Sequence, residues 1–212
     1  MKNIAKKVLV VLMAVLMIGA MAACAPAADS DSDAKTVSLG TSADYPPFEF
    51  IYLDDQGAQQ YAGIDVSLAK KLAADMDAEL NVVNMNFDSL MASLEKGDVD
   101  FVIAAVEVTE ERLKSADFSE PYYTDLPAMI LVKADKAAEF TSIESFADKN
   151  VGAQSGTTKA DIVNNDMPGA KFVGLTSVID LVNELMYDKC DAIVLDGAVA
   201  MDLSLIHISE PH

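Results

Sequence analysis

Three polar groups at the ends of apolar runs hold the chemistry of this chain. Arg112 follows the run Phe101-Val102-Ile103-Ala104-Ala105-Val106 by way of Thr109-Glu110-Glu111. Its guanidinium is a planar fork of N–H donors, matched in shape to a carboxylate. Thr157 and Thr158 stand at the head of a predicted helix, where free backbone N–H groups favour an anion. Asp196 ends the run Ala192-Ile193-Val194-Leu195, and its carboxylate suits an ammonium. Taken singly, each has a plainer role: Arg112 as a surface cation paired with an acid, Thr158 as a helix cap, Asp196 as the N-cap of the next helix. Together they describe a receptor for a small zwitterion.

Strands and helices must place these groups. The stretch Asp98–Tyr123, DVDFVIAAVEVTEERLKSADFSEPYY, reads as a buried parallel strand over Phe101–Val106 followed by a helix start at Thr109. Arg112 then lies just beyond a strand's carboxyl end, where open α/β sheets bind ligands. Upstream, Val37–Thr41 is a strand, Tyr45-Pro46-Pro47-Phe48 a rigid aromatic loop, and Asp54–Gly57 a hairpin turn. A helix follows with Asp65 as N-cap and Ile64, Leu68, Leu72 and Met76 on its inner face. Leu80–Val83 is a strand, Phe87–Lys96 a helix stopped by Gly97, and Met129–Val132 a strand. The second half repeats the grammar, with strands at Asn150–Gln154, Lys171–Leu175 and Ala192–Leu195 and helices from Lys159 and over Ser177–Tyr187. LEKGDVDFVI from Leu94 and LMYDKCDAIV from Leu185 both run helix end, turn, Asp, buried strand. This weak internal repeat sets Cys190 opposite Val99 and reads it as a core residue. Alternating strands and helices imply parallel sheets with right-handed crossovers.

Composition narrows the partners. The 212 residues carry a net charge of −19, which becomes more negative still once Lys2, Lys6 and Lys7 of the N-terminal segment are removed. Such acidity argues against nucleic acid and anionic lipid surfaces. With two cysteines and two histidines and no metal-ligand spacing, the sequence predicts neither a metal nor a cofactor. Lysines followed by an apolar run from Val8 to Ala20 and Met21-Ala22-Ala23-Cys24 read as a secretory signal. The small residues before Cys24 resemble the lipobox of bacterial lipoproteins, in which the cysteine becomes the acylated first residue of the mature chain. APAADSDSDAK, from Ala25, reads as a flexible tether.

With these pieces in place, the chain resembles the extracellular solute-binding proteins of amino-acid ABC transporters. The resemblance rests on GTSADYPPFEF from Gly40, GIDVSLAKKLA from Gly63, FDSLMASLEKGDVDFVIAAVEVTEERLKSADFSEPYY from Phe87, NVGAQSGTT from Asn150 and CDAIVLD from Cys190. It implies an α/β, two-lobed periplasmic-binding-protein-like (type II) fold with parallel-rich sheets, incomplete at the C-terminus. The implied plan is a signal peptide over 1–23, a tether over 24–36, lobe 1 over 37–127, and a hinge strand with lobe 2 over 128–202. Carried over residue by residue, Tyr45 and Phe87 would stack on the ligand, and Arg112 with the Thr158 N–H would hold its α-carboxylate. Asp196 and the Ala105 carbonyl would take its α-ammonium, while Ser42 and Gln154 would select the side chain. The lobes would close about a hinge through Ala128–Val132. The implied protein is a monomer, lipid-anchored outside the cytoplasmic membrane, handing an amino acid or related solute to an ABC permease.

Two departures stand out. Glu107 occupies a place where the resembled family has Ser or Thr. It would repel a ligand carboxylate, pair with Arg112, bind a cationic side chain, or point to solvent with only its backbone in the site. The second is residues 203–212, LSLIHISEPH, which match no helix or strand of the pattern and read as a non-native tail after a truncated frame. Two other functions share the resemblance: a cyclohexadienyl-dehydratase-like enzyme, for which Glu107 is the one unusual acid/base candidate, and a sensory ligand-binding module.

Overall fold

The computed structural model describes residues 35–208. The signal segment, Cys24, the tether as far as Ala34, and the last four residues lie outside the described residues. Among those described, no helix is long and apolar enough to cross a membrane.

The first sheet forms around the earliest strand, β1 (Lys35–Thr41), whose Val37 and Leu39 are buried. A small antiparallel sheet comes next, made of β2 (Asp44–Tyr45), β3 (Glu49–Leu53) and β4 (Gln59–Ala62). Asp54 fixes its β3–β4 turn by accepting from the N–H groups of Gln56 and Ala58, 2.9 Å each. Helix α1 (Ile64–Asp75) leads to β5 (Ala78–Asn84), which pairs in parallel with β1 from Lys35↔Ala78 to Thr41↔Asn84. A 3-10 turn at Phe87–Ser89 opens helix α2 (Leu90–Lys96), which ends on Gly97 in the left-handed region, φ 77. There a Cβ would be strained. β6 (Phe101–Val102) then pairs in parallel on the other side of β1, giving the order β5-β1-β6.

The second sheet has the order β7-β10-β8-β9. Its strands are β7 (Met129–Leu131), β8 (Asn150–Gln154), β9 (Lys171–Leu175) and β10 (Ala192–Leu195). Helix α3 (Thr158–Asp166) joins β8 to β9, and α4 (Val178–Met186) joins β9 to β10. β10 and β9 flank β8 in parallel, whereas β7 runs antiparallel on β10. Every residue of β10 is buried, as its unbroken apolar run requires. Helix α5 (Gly197–Ile208) comes directly after it.

Several sequence expectations need correction. Strand pairing at Phe101 lasts two residues rather than six, because the chain turns away at Ala105, whose φ is +47. No α-helix starts at Thr109. A single 3-10 turn, Arg112–Lys114, forms there, although Thr109 Oγ1 does accept from the Arg112 N–H at 3.1 Å. The N-cap of α1 is Gly63; Asp65 sits inside the first turn, fully buried. The inner face of α1 is Val66, Ala69 and Ala73, while Ile64, Leu72 and Met76 are exposed. Small residues let α1 lie close to the sheet; of the expected stripe, Leu68 packs against Leu39, Ala69 and Ile103, and only Ile64, Leu72 and Met76 face outward. The tail from Leu203, which matches no helix or strand of the sequence pattern, continues α5 as far as Ile208. Cys190 is buried, as read from the repeat.

Candidate functional site

The two sheets meet at a cleft of about 420 Å³, its mouth to solvent included. All nine residues singled out from the sequence line it: Ser42, Tyr45, Phe87, Ala105, Glu107, Arg112, Gln154, Thr158 and Asp196. The loop after β1 brings Ser42, β2 brings Tyr45, the start of the Phe87–Ser89 turn brings Phe87, and the end of β6 leads to Ala105, Glu107 and Arg112. From the second sheet, β8 brings Gln154, the first residue of α3 is Thr158, and Asp196 comes just after β10. Strand carboxyl ends thus supply most of the lining, as expected for open α/β sheets.

Arg112 is half-buried and reaches across the cleft. It donates to the Glu107 carbonyl at 2.8 Å and to the Gly156 carbonyl at 3.0 Å, with its guanidinium 5.4 Å from the Phe87 ring centroid. A guanidinium has five N–H donors, so these two bonds leave others for an anion while fixing the plane of the fork. Burial lowers its pKa, opposed by Glu107, Asp161 and Glu111. Backbone placement of Ala105 depends on Asp65, whose carboxylate accepts from the Ala105 N–H at 2.7 Å and the Tyr122 hydroxyl at 2.9 Å. The buried Asp65 therefore holds the positive-φ bend that directs the chain from β6 toward Arg112.

Asp196 accepts from the Tyr45 hydroxyl at 2.8 Å, and its own N–H donates back to that oxygen at 3.1 Å. Its other carboxylate oxygen ion-pairs with Lys159. Burial raises the Asp196 pKa, against the pull of Lys159 and Tyr45. Its carboxylate is engaged inside the cleft, so the plain role of capping α5 is not the one its side chain takes. Glu107 accepts from the Thr158 hydroxyl and pairs with Lys159 at 3.1 Å. Burial pulls its pKa up, but Thr158, Lys159 and Arg112 outweigh that and leave it lowered. Its carboxylate thus faces Lys159, while Arg112 is bonded to the Glu107 backbone carbonyl. Thr157, not Thr158, caps α3, accepting from the Ala160 N–H at 3.3 Å. Asp44 adds a further crossing contact, accepting from the Val178 N–H at the start of α4 at 2.8 Å.

Two charged lining residues are not legible as site residues in the sequence. Lys159 is 5% exposed and Glu49 is 1% exposed, and both line the cleft. Neither Glu49 oxygen accepts a hydrogen bond from the described residues, and only as a protonated carboxyl can it bond to the neighbouring Asp65. Burial first, then the charges of Asp65, Asp44 and Asp196, push its carboxyl up to about 11. For Lys159 a signal was available: a positive charge in the first turn of a helix opposes the macrodipole and calls for nearby acids. Glu49 gave a weaker one, as a lone acid in the aromatic stretch Phe48-Glu49-Phe50. No group of three or more His, Cys, Asp or Glu among the described residues is placed to hold a metal ion.

Two α/β halves facing a cleft lined by a half-buried guanidinium and several carboxyls fit a solute-binding protein of the two-lobed type II class. Residues 37–194 match the model of the bacterial extracellular solute-binding proteins, family 3, and the chain belongs to that family. It is 35% identical over 198 residues to the arginine-binding extracellular protein ArtP of Bacillus subtilis, covering 92% of this chain and 74% of the relative. Among solved structures, the amino-acid ABC transporter substrate-binding protein AbpA of Streptococcus pneumoniae, bound to L-arginine, superposes with a TM-score of 0.75 at 32% identity. The match covers 78% of this chain and 69% of that one. The ancestral amino-acid-binding protein AncCDT-1, a precursor of cyclohexadienyl dehydratase, also gives 0.75, at 34% identity over 81% of this chain and 74% of that one. These relatives are binding proteins, and the chain is a binding protein rather than an enzyme.

Proposed function

We propose that the protein is the substrate-binding component of an ABC importer and that its solute is arginine or a closely similar cationic amino acid. One observation carries the choice of a cationic side chain: Glu49, buried in the cleft wall among Asp65, Asp44 and Asp196 with no cation among the described residues to pair it. A buried carboxyl in that state is held protonated at neutral pH, and a guanidinium beside it would let it ionise and satisfy both oxygens. Arginine-binding relatives support the same reading. The α-carboxylate goes to the free donors of Arg112 and the N-terminus of α3, and the α-ammonium to Asp196 and the Ala105 carbonyl. Tyr45 and Phe87 pack on the solute, and Ser42 and Gln154 line its side chain. Glu107 acts through its pairing with Lys159 rather than as a direct receptor. Residues 128–132 serve as the hinge between lobes 37–127 and 128–202. Cys24 carries a lipid that holds a monomeric protein at the outer face of the cytoplasmic membrane, where it delivers solute to a permease.

Titration calorimetry with arginine, lysine, glutamine and aspartate tests this reading. Arginine is expected to bind most tightly, with release of protons to the buffer, because Glu49 loses its proton when paired. Affinity then rises with pH through the neutral range, and Glu49→Gln abolishes both the proton release and the preference for arginine. Without ligand the sign is reversed. The folded-state pKa of Glu49, about 11, lies above its ordinary value of 4.5, so the stability this group contributes is full below about pH 4.5 and falls as pH rises toward 11. Glu49→Gln should therefore flatten the loss of thermal stability with rising pH. Arginine binding without proton release, equal in wild type and Glu49→Gln, would contradict the role given to Glu49.

A further inference from the structure

Lys159 is the second residue of α3, with its side chain almost wholly buried. A cation there meets the positive end of the helix dipole, and an ammonium out of water demands partners for its three N–H groups. All three are present. Its Nζ pairs with Asp196 Oδ1, lies 3.1 Å from Glu107 Oε2 and donates to Thr158 Oγ1 at 3.2 Å. The remaining Asp196 oxygen takes the Tyr45 hydroxyl at 2.8 Å. Both oxygens of the Asp196 carboxylate are thus engaged from within the chain, one of them by an ammonium.

The same contacts cross between the halves. Glu107 and Tyr45 belong to the segments around the first sheet, Lys159 and Asp196 to those of the second. Glu107–Lys159–Asp196–Tyr45 is therefore a clasp that spans the cleft and returns. We infer that Lys159 is an internal occupant of the ammonium site: it holds the cleft closed when no solute is bound and must leave Asp196 before a solute ammonium can take its place. The second clause rests on the assignment of Asp196 as ammonium receptor, while the first does not. A protein whose competent state is only partly populated binds with an affinity reduced by that fraction. Lys159 therefore weakens solute binding while favouring closure without it. It also sets specificity, since a solute without an ammonium gains nothing from displacing the lysine.

The test pairs two variants with two readouts. Lys159→Met keeps the apolar stem and removes the charge. Glu107→Gln releases one end of the clasp at a half-exposed residue, so it reports even if Lys159→Met fails to fold. Small-angle scattering without added ligand is expected to show a larger radius of gyration for both variants, more so for Lys159→Met. Calorimetry is expected to show arginine bound about ten-fold more tightly by Lys159→Met. Unchanged scattering in both variants overturns the clasp. Arginine binding that is weaker or unchanged in Lys159→Met overturns the competition, since the lysine would then belong to the solute's own site. If scattering expands as expected but no amino acid binds wild type or variants, the clasp stands and the arginine assignment falls.

Discussion

The α2–β6 unit of the first half and the α4–β10 unit of the second pack in the same way on different strands. A Cβ built on Gly40 of β1 would lie 3.1 Å from Val99, 3.2 Å from Val102 and 3.4 Å from Leu90; one on Gly152 of β8 would lie 2.8 Å from Leu181, 3.1 Å from Ile193 and 3.4 Å from Cys190. The three neighbours correspond in sequence, Leu90 with Leu181, Val99 with Cys190 and Val102 with Ile193. In each unit a helix leucine, a turn residue and a strand residue close over a strand glycine. The units diverge at the carboxyl ends of their strands. β6 pairs for two residues and gives way to the bend at Ala105, whereas β10 pairs with strands on both sides and runs straight into Asp196 and α5. One packing device thus ends in an irregular segment that carries Arg112 and in a rigid strand end that carries Asp196. The lesson is that the hydrophobic device is shared, and the polar ends are free to diverge because they contribute little to the packing.

Deleting the shared leucines gives the largest effect. Leu90 and Leu181 are 1% and 0% exposed, so Leu90→Ala and Leu181→Ala should each destabilise by about 2–5 kcal/mol in urea unfolding. A loss confined to Leu181 would break the equivalence of the two units. Next are the glycines. Gly152→Ala, with the closer approach to a fully buried leucine, should cost about 1–3 kcal/mol by overpacking, and Gly40→Ala less; the reverse order would show that the first unit is the tighter one. The smallest effect sharpens a difference at the helix starts. Ser177 accepts from the Asp180 N–H and caps α4, while Ser89 before α2 makes no cap bond. Ser177→Ala should therefore cost about 1 kcal/mol and Ser89→Ala close to nothing, read from thermal unfolding.

Glu49 and Asp196 extend the contrast to charge. Asp196 is met by Lys159 and Tyr45, but Glu49 faces Asp65 and other acids with no cation among the described residues to pair it. Asp196 is legible in the sequence because a carboxylate after a buried strand is a recognisable pattern. Glu49 comes after an aromatic loop within a short antiparallel strand, and its place between Phe48 and Phe50 is a weak local mark that says nothing of the acids around it. The Tyr45–Asp196 bond likewise joins residues of opposite halves that no local pattern relates.

What the sequence by itself determined was local: apolar runs that become strands, the glycine stop after Lys96, the internal repeat, and the nine residues that line one cleft. These are legible because strand burial, helix capping and left-handed turns depend on a few neighbouring residues. Where a local pattern allowed two outcomes, tertiary packing chose. The small face of α1 turned inward because close approach to the sheet leaves room for Leu68 but not for Ile64, Leu72 and Met76, and β6 stopped after two residues because Asp65 fixes the bend at Ala105. Only the tertiary structure decided that Lys159 lies between Glu107 and Asp196 and that Glu49 lies among acids without a cation. Electrostatic energy depends on separation in space and on burial, and neither is written in the order of the residues.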